Sequence, residues 1–387
     1  MHVAVLGGRG TVGRVAVAEL LARGADRVTV YDAAAEPAFD DARIAAGDLD
    51  GTDPPSLERA LDGVDCAANC LPFEHNAAAT EAAVAAGTDL VDCGGYGEAA
   101  LNEQFAHDDA ARDAGMTVVA GLGLSPGLSN VIATHAADDL DAVESVEICW
   151  VSRRPLTTSP GLLRTAIAEQ VGPRVQYLDG ERVEKPAFSG RRAVEYPFAD
   201  EGVVSHYYPH PEPMTLPDHL DASTVTVRGS YGNRNGRRLQ SLHEAGLLAD
   251  EPTVDGRSPR AFVTELLAAR ASEVEDAGDV GESLIAMRVD VTGEAGPNRV
   301  ERTYRAPTTL RASALDYPFP STPVGVATGV PVACGALAVA DGVTQGAGVR
   351  PPEAVLDPDA FLTSLGATGS GVDVVVEERQ RRETRLA

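Results

Sequence analysis

A glycine-rich turn close to the amino end constrains the fold of this chain more than any other feature. The apolar run at residues 3–6 leads into Gly-Gly-Arg-Gly-Thr-Val-Gly at 7–13, and a segment with an apolar helical face follows at 15–21. The next strand-like run ends on Asp32. A strand, a tight glycine turn, a helix and a second strand in this order predict a parallel βαβ unit.

The glycine spacing points to a dinucleotide. Gly8, Gly10 and Gly13 match the Gly-x-Gly-x-x-Gly pattern, in which glycines permit the tight turn and the close approach of a pyrophosphate. The N–H groups and positive dipole at the helix start then attract the phosphates. Asp32, about 20 residues further on, can hold the ribose 2′-hydroxyl, which favours NAD. Arg9 could contact a 2′-phosphate and keeps NADP open.

Strands and helices continue to alternate as far as residue 125. A third strand ends at Asp48-Leu49. Apolar runs at 64–69, 89–93 and 117–121, separated by helical segments, bring the total to six strands. The sequence therefore predicts an α/β Rossmann domain, a doubly wound parallel sheet, over residues 1–125. Ligands bind such sheets at the carboxyl ends of the strands. The predicted cofactor-binding residues are Gly8, Arg9, Gly10, Thr11, Val12, Gly13, Asp32, Asp48, Asn69, Leu71 and Pro72.

The segment after the sixth strand, Gly-Leu-Gly-Leu-Ser-Pro-Gly-Leu-Ser-Asn at 121–130, reads as the start of another helix. Ser125 is a good N-cap and Pro126 a good first helical residue. A helix start at this edge of the sheet can receive a substrate carboxylate, and Asn130 lies one turn into the helix. A capped helix without a ligand is the alternative.

At this point the sequence resembles a known family. Segment 121–130 is similar to the Gly-x-x-x-x-Pro-Gly-x-x-Asn segment of the saccharopine dehydrogenase family, and most similar to its lysine 6-dehydrogenase-like branch. Val-Asp-Cys-Gly-Gly at 91–95 resembles the family's fifth-strand ending. Ala-Thr-Gly-Val-Pro at 327–331 and Gly-Val-Arg-Pro-Pro-Glu at 348–353 resemble its C-terminal signature. The resemblance spans nearly the whole chain.

The family architecture implies a second, α+β domain for substrate binding and dimerisation at 126–325, and a C-terminal segment at 326–387 that returns to the Rossmann domain. It also implies a homodimer. The residues of the middle domain agree with an α+β fold, because strand-like runs such as 143–151 and 284–292 lack a βαβ rhythm, whereas 259–271 reads as a helix.

The resemblance implies hydride transfer between a nicotinamide and the CH–NH carbon of a lysine- or saccharopine-like amino acid, through an imine. This step needs a group that accepts the amine proton. Tyr96 and Asp92 are the predicted catalytic residues; the alternatives are a loop aromatic for Tyr96 and a turn cap for Asp92. Arg153 and Arg228 end predicted strands and are candidate carboxylate clamps. The predicted substrate-binding residues are Gly95, Ser125, Pro126, Gly127, Asn130, Arg153 and Arg228.

Two other functions stay open. Ser-Tyr-Gly-Asn at 230–233 stands where lysine-type relatives have Tyr-Pro-Gly-His, and this departure motivates a non-catalytic NAD(P)-binding sensor as the alternative. A semialdehyde dehydrogenase would need a nucleophilic cysteine at a helix start, whereas Cys149 lies in a predicted strand. The polar aromatic stretch at 206–210 is expected to be a solvated loop.

Composition excludes several partners. Asp and Glu total 58 against 32 basic residues, which gives a net charge of −26, and Lys185 is the only lysine. An acidic, lysine-poor chain resembles proteins of salt-loving microbes and offers no basic stripe for nucleic acid or an anionic membrane. The five cysteines lack metal-ligand spacing, so no metal is expected.

The uncharged stretch at 320–340 contains two prolines and predicts a buried helix. No secretory signal is visible, so a cytoplasmic location is expected.

Overall fold

In a computed structural model, the chain folds around two β-sheets, one parallel and one mixed. The structure describes residues 1–33, 40–94, 97–155, 160–253, 256–269, 282–367 and 369–382. The first sheet consists of β1 (His2–Leu6), β2 (Arg27–Asp32), β3 (Ile44–Asp48), β4 (Cys66–Asn69), β5 (Asp89–Asp92), β6 (Thr117–Val119) and β16 (Gly348–Arg350). These seven strands are parallel in the order β16-β6-β5-β4-β1-β2-β3, which confirms the predicted doubly wound fold.

Both faces of the parallel sheet are buried, which explains why its strands read as continuous apolar runs. Along β1, Val3 and Val5 point into one hydrophobic cluster, whereas Ala4 and Leu6 point into another on the opposite face. The helices of this domain are α1 (Gly13–Ala22), α2 (Pro54–Leu61), α3 (Asn76–Ala86), α4 (Gly97–Phe105) and α5 (Asp108–Asp113).

The second sheet is mixed and has ten strands among the described residues. Its strands are β7 (Ala142–Arg153), β8 (Arg174–Leu178), β9 (Glu181–Lys185), β10 (Arg192–Val194), β11 (Val203–Tyr207), β12 (Thr224–Ser230), β13 (Leu284–Ala295), β14 (Asn298–Arg305), β15 (Leu310–Arg311) and β17 (Val375–Arg382). Strands β7 and β12 are parallel neighbours, and β13 pairs antiparallel with β7. The helices of this part are α6 (Leu128–Ala137), α7 (Pro160–Ala168), α8 (Glu212–Leu220), α9 (Gly232–Glu244) and α10 (Pro259–Ala269).

The C-terminal segment contributes one strand to each of the two sheets. It contains α11 (Pro323–Ala340), α12 (Pro352–Val355) and α13 (Pro358–Gly366). Strand β16 extends the parallel sheet beside β6. Strand β17 instead pairs with β14 at the edge of the mixed sheet, so the last described part of the segment returns to the second domain.

Helix α11 lies in the interior, as the sequence predicts for this stretch. By length and composition it is apolar enough to cross a membrane, but 72% of it is buried inside the protein. Its glycines permit close contact with the glycine-rich turn: a Cβ on Gly325 would lie 2.6 Å from the Thr11 carbonyl oxygen, and one on Gly329 would lie 2.7 Å from that of Val12. The helix therefore supports the turn from behind.

Candidate active site

The glycine-rich turn has a backbone that side chains would obstruct. Gly7 has a φ of +73°, and its N–H donates to the Tyr31 carbonyl oxygen at 2.8 Å. A Cβ on Gly13 would lie 2.3 Å from the Gly7 carbonyl oxygen. Helix α1 begins directly after the turn, and its N-cap, Val12, has no capping side chain. An open helix start behind a bare backbone fits the pyrophosphate of a dinucleotide.

Asp32 lies beside this turn at the end of β2. Its carboxylate accepts hydrogen bonds from the backbone N–H of Arg9 at 3.0 Å and of Ala33 at 2.8 Å. Asp48 ends the neighbouring strand β3, in register with Asp32. The position of Asp32 fits the carboxylate that holds the adenosine ribose in Rossmann domains.

The side chain of Asn69 holds the turn after β4 in place by hydrogen bonds. The Asn69 side chain is fully buried; its Oδ1 accepts from the Leu71 N–H at 3.2 Å, and its Nδ2 donates to Asn76 Oδ1 at 3.0 Å. Leu71 and Pro72 form the turn itself, before a short 3₁₀ helix. Asn69 therefore positions the predicted cofactor-binding turn through its side chain.

Asp92 does not have the geometry of the predicted catalytic residue. Its side chain is 0% exposed, and Oδ1 accepts from the N–H groups of Gly94 at 2.7 Å and Gly121 at 3.0 Å. Its Oδ2 accepts from Gln104 Nε2 at 2.5 Å. Burial raises the pKa of the Asp92 carboxyl, and these hydrogen bonds oppose the rise. Asp92 ties the ends of β5 and β6 together, which is the turn-cap alternative. The predicted residues Gly95 and Tyr96 lie outside the described residues.

The loop at 121–130 begins its helix later than the sequence predicts. Gly127, with a φ of +125°, is the N-cap of α6, so Ser125 is not a cap and Pro126 is not in the first turn. The buried side chain of Asn130 accepts from the Gly127 N–H at 2.9 Å and closes the helix start instead of facing a substrate. Pro126 packs against Gly94, where a Cβ would lie 2.8 Å from its Cγ. The loop therefore covers the carboxyl end of β5.

The Ser125 hydroxyl, which does not cap the helix, connects the two domains by hydrogen bonds. It donates to Glu212 Oε1 at 2.5 Å and lies 3.1 Å from His210 Nδ1. Ser129 donates to the same glutamate oxygen at 2.8 Å. His210 is 4% exposed and Glu212 is 0% exposed, which corrects the expectation of a solvated loop around His210. Burial lowers the pKa of His210 to about 3 and raises the pKa of Glu212.

Trp150, from β7, completes one wall of this cluster. Its ring stacks on His210 with centroids 5.6 Å apart and planes 19° apart. The Tyr208 ring meets the same tryptophan edge-on at 4.6 Å. The carbonyl oxygen of Pro209 accepts from the Gly97 N–H at 3.2 Å, so the 208–212 segment touches the chain just after β5. The aromatic wall thus lies next to the carboxyl edge of the parallel sheet.

A second buried glutamate also contacts α6. Glu353, in α12, is 4% exposed and accepts from Asn130 Nδ2 at 2.9 Å. Burial raises its pKa to about 7, and the charge of Glu212 adds to this rise. Within the described part of the chain, neither glutamate forms an ion pair with an arginine or a lysine. This region therefore holds two acidic groups without a basic side chain to neutralise them.

The two predicted arginine clamps are engaged elsewhere in the second domain. Arg228 forms an ion pair with Glu147 and lies 4.4 Å over the Tyr207 ring. Arg153 donates to a backbone carbonyl at 3.0 Å and lies 5.5 Å over the Phe198 ring. Both arginines already have partners that stabilise their charge, so neither has the geometry of the expected carboxylate clamp.

The described residues give little support to metal or thiol chemistry. Cys149 is buried in β7, and burial raises its pKa to about 12, which does not suit a nucleophile. Between residues 1 and 382, leaving aside the undescribed gaps, no group of three or more His, Cys, Asp or Glu side chains could hold a metal ion.

Sequence reasoning missed Glu212, Glu353 and Trp150 as site residues. Glu353 stands within the C-terminal signature, and Trp150 is the single tryptophan of the chain, so each carried a weak signal. Glu212 follows Pro-His-Pro without any recognisable motif. It becomes a candidate only when the fold brings it to Ser125.

Comparison with known proteins agrees with this architecture. The family model described as "Saccharopine dehydrogenase NADP binding domain" matches residues 3–119, and "Saccharopine dehydrogenase C-terminal domain" matches residues 123–370. The chain is 24% identical to a carboxynorspermidine synthase of Vibrio cholerae over 86% of this chain and 83% of the relative. It is also 24% identical to a carboxyaminopropylagmatine dehydrogenase of Synechocystis over 79% of this chain and 78% of the relative.

Among solved structures, the apo saccharopine dehydrogenase (L-Glu forming) of Saccharomyces cerevisiae has the same fold. It superposes with a TM-score of 0.71 at 18% identity, covering 98% of this chain and 99% of the yeast chain. The C-terminal domain model alone covers well over half of the chain. The glycine turn, the two sheets and these matches together show that the chain belongs to the saccharopine dehydrogenase family of NAD(P)-dependent oxidoreductases.

Proposed function

We propose that this enzyme transfers a hydride between NAD(P) and the carbon of a secondary amine that joins a carboxylated chain to a second amine-bearing chain, through an imine. The observation that carries the proposal is the pair of buried glutamates, Glu212 and Glu353, without a basic partner in the described part of the chain. A buried carboxyl group is neutralised by a proton or by a cation. A substrate ammonium group is a cation and also carries a proton that it can give to a carboxylate.

The two curated relatives support the same substrate class, because both are named for carboxylated amines with more than one amine group. Lysine and saccharopine, which the sequence resemblance implied, stay within the amino-acid class, and saccharopine is also a secondary amine. Bound nicotinamide would supply the hydride acceptor or donor at its C4. The glycine turn would hold the pyrophosphate, Asp32 the ribose, and the Ser125 loop would border the reacting carbon.

A substrate panel tests the proposal. The purified protein is mixed in molar salt with NAD or NADP and with carboxynorspermidine, carboxyaminopropylagmatine, saccharopine or lysine, and NAD(P)H absorbance is followed. We expect turnover with at least one secondary amine and little with lysine, whose amines are primary. Norspermidine, which lacks the carboxylate, is the matched control.

The opposite result would favour the sensor alternative. If the protein binds coenzyme tightly but no compound of the panel changes NAD(P)H absorbance in either direction, hydride transfer to this class is refuted. If lysine reacts as fast as the secondary amines, the enzyme is an oxidoreductase of the lysine type and the proposed substrate class is wrong.

A further inference from the structure

Ser125 lies between the buried Glu212 carboxylate and the carboxyl edge of the parallel sheet. The polar cluster consists of Ser125, Ser129, His210 and Glu212, and three of its members are buried. Ser125 alone is partly exposed, at the carboxyl edge of the parallel sheet. Its hydroxyl donates to Glu212, so its oxygen is able to accept a proton from the exposed side.

We propose that Ser125 and Glu212 form a proton relay that takes the proton from the substrate ammonium nitrogen before the hydride leaves. This inference rests on the proposed function. The nitrogen–hydrogen bond breaks as the Ser125 oxygen takes that proton, while the original Ser125 proton passes to Glu212 Oε1. The nitrogen keeps its electron pair and becomes a neutral amine, and Glu212 changes from carboxylate to carboxylic acid. The neutral amine can then release a hydride from its carbon.

The surroundings of Glu212 favour the arrival of a proton. Burial destabilises the carboxylate, and the Oε2 atom is buried with no hydrogen-bond partner among the described residues. The titratable groups that face it are His210, whose Nδ1 lies 3.9 Å from Oε2, and Glu353. Strands β8, β9 and β12 carry arginines near α8. Arg174 binds backbone carbonyls, Arg182 donates to the Met214 carbonyl oxygen at 3.1 Å and pairs with Asp218, and Arg228 binds Glu147. Among the described residues, none of these arginines forms an ion pair with Glu212.

His210 is a positioning residue in this relay. Its pKa, which burial lowers to about 3, keeps the ring neutral at ordinary pH. Because the Ser125 proton is directed at Glu212, the hydroxyl oxygen can accept the N–H of His210 Nδ1. Stacking on Trp150 holds the ring in place. His210 thus orients the hydroxyl without taking a charge.

The first test compares pH profiles of amine oxidation, with saccharopine and carboxynorspermidine as the amines and NAD(P) as the coenzyme. In the unsubstituted enzyme, kcat/KM should fall as the pH drops, because a protonated Glu212 cannot accept a further proton. Ser125→Ala should lower kcat by about 100-fold or more, with NAD affinity unchanged. Glu212→Gln should lower kcat similarly and abolish the acid limb of the profile.

A neighbouring substitution should move the acid limb. Ser129→Ala removes a hydrogen bond that stabilises the Glu212 carboxylate, so the limb should move to higher pH. Glu19→Gln is the matched control. Glu19 is another buried glutamate, and it accepts a hydrogen bond from the Tyr317 hydroxyl at 2.7 Å. It lies in α1, outside this polar cluster. Glu19→Gln should leave the profile unchanged.

A second measurement needs no turnover. Infrared difference spectra of the substrate-free protein should show one carboxylic-acid C=O band that is absent in Glu212→Gln, and this band should shift and titrate at a different pH in Ser125→Ala. The relay would be overturned if the Glu212 band had the same position and titration pH in Ser125→Ala as in the unsubstituted protein. It would also be overturned if Glu212→Gln were active and kept its acid limb. If the unsubstituted enzyme oxidises no amine, the proposed function fails, whereas the infrared titration still decides whether the two side chains are coupled.

Discussion

At the scale of single residues, we expect the carboxylate of Asp32 to control which coenzyme the glycine turn prefers. Asp32 is held beside the turn by two backbone N–H groups, so its position does not depend on a bound ligand. A carboxylate there accepts the ribose 2′-hydroxyl of NAD and repels the 2′-phosphate of NADP. We expect Asp32→Ala to weaken NAD binding by about tenfold or more and to strengthen NADP binding relative to NAD. Calorimetric titration with both coenzymes measures this.

A substitution that removes the same charge elsewhere is the control. Asp62 is exposed after α2, and Asp62→Ala should leave both affinities unchanged. Equal affinities of Asp32→Ala and the unsubstituted protein for NAD would show that Asp32 does not contact the ribose.

At the scale of elements, the contact between α11 and α1 determines the shape of the cofactor turn. A Cβ on Gly329 would lie 2.7 Å from the Val12 carbonyl oxygen and 2.8 Å from the Val15 Cβ, which is closer than real Cβ contacts. We expect Gly329→Ala to lower the free energy of unfolding by about 1–3 kcal/mol, because overpacking displaces one helix from the other. It should also weaken NAD binding. Denaturant unfolding and coenzyme titration check the two effects.

Gly236, inside α9, is the matched helical control. A Cβ there would meet nothing within 4 Å, so Gly236→Ala should leave NAD binding unchanged and stabilise the protein by up to about 1 kcal/mol. A Gly329→Ala protein as stable as the unsubstituted one would show that the two helices can separate without cost.

At the scale of the whole molecule, self-repulsion among acidic groups opposes folding at low salt. The net charge is −26, whereas exposed ion pairs such as Arg112 with Asp109 contribute only about 0–1 kcal/mol each. Salt shortens the screening length from about 10 Å at 0.1 M to about 3 Å at 1 M, which weakens the repulsion more than it weakens local pairs. We therefore expect the Tm to rise steadily with KCl up to molar concentrations. A Tm that is constant or falls with KCl would contradict an adaptation to high salt.

Local sterics and periodicity made much of the fold predictable. The glycine turn needs backbone shapes and close contacts that only glycine allows, so Gly7 and Gly13 are readable from a short stretch of sequence. Strands buried on both faces are continuously apolar, and parallel strands end at one edge of the sheet. These rules predict the parallel sheet and place the loop at 121–130 at the carboxyl edge of that sheet.

Only the tertiary structure decided what each polar side chain at that edge does. Ser125 and His210 are 85 positions apart, and Arg228 finds Glu147 81 positions away, so no local pattern records either contact. Asp92 looked reactive because it ends a strand, but backbone N–H groups surround it once the strands align. The sequence alone determined the coenzyme fold, because backbone sterics act over a few residues. The contacts of Ser125, His210 and Glu212 were decided by tertiary packing, because burial and hydrogen-bond partners arise only when distant segments meet.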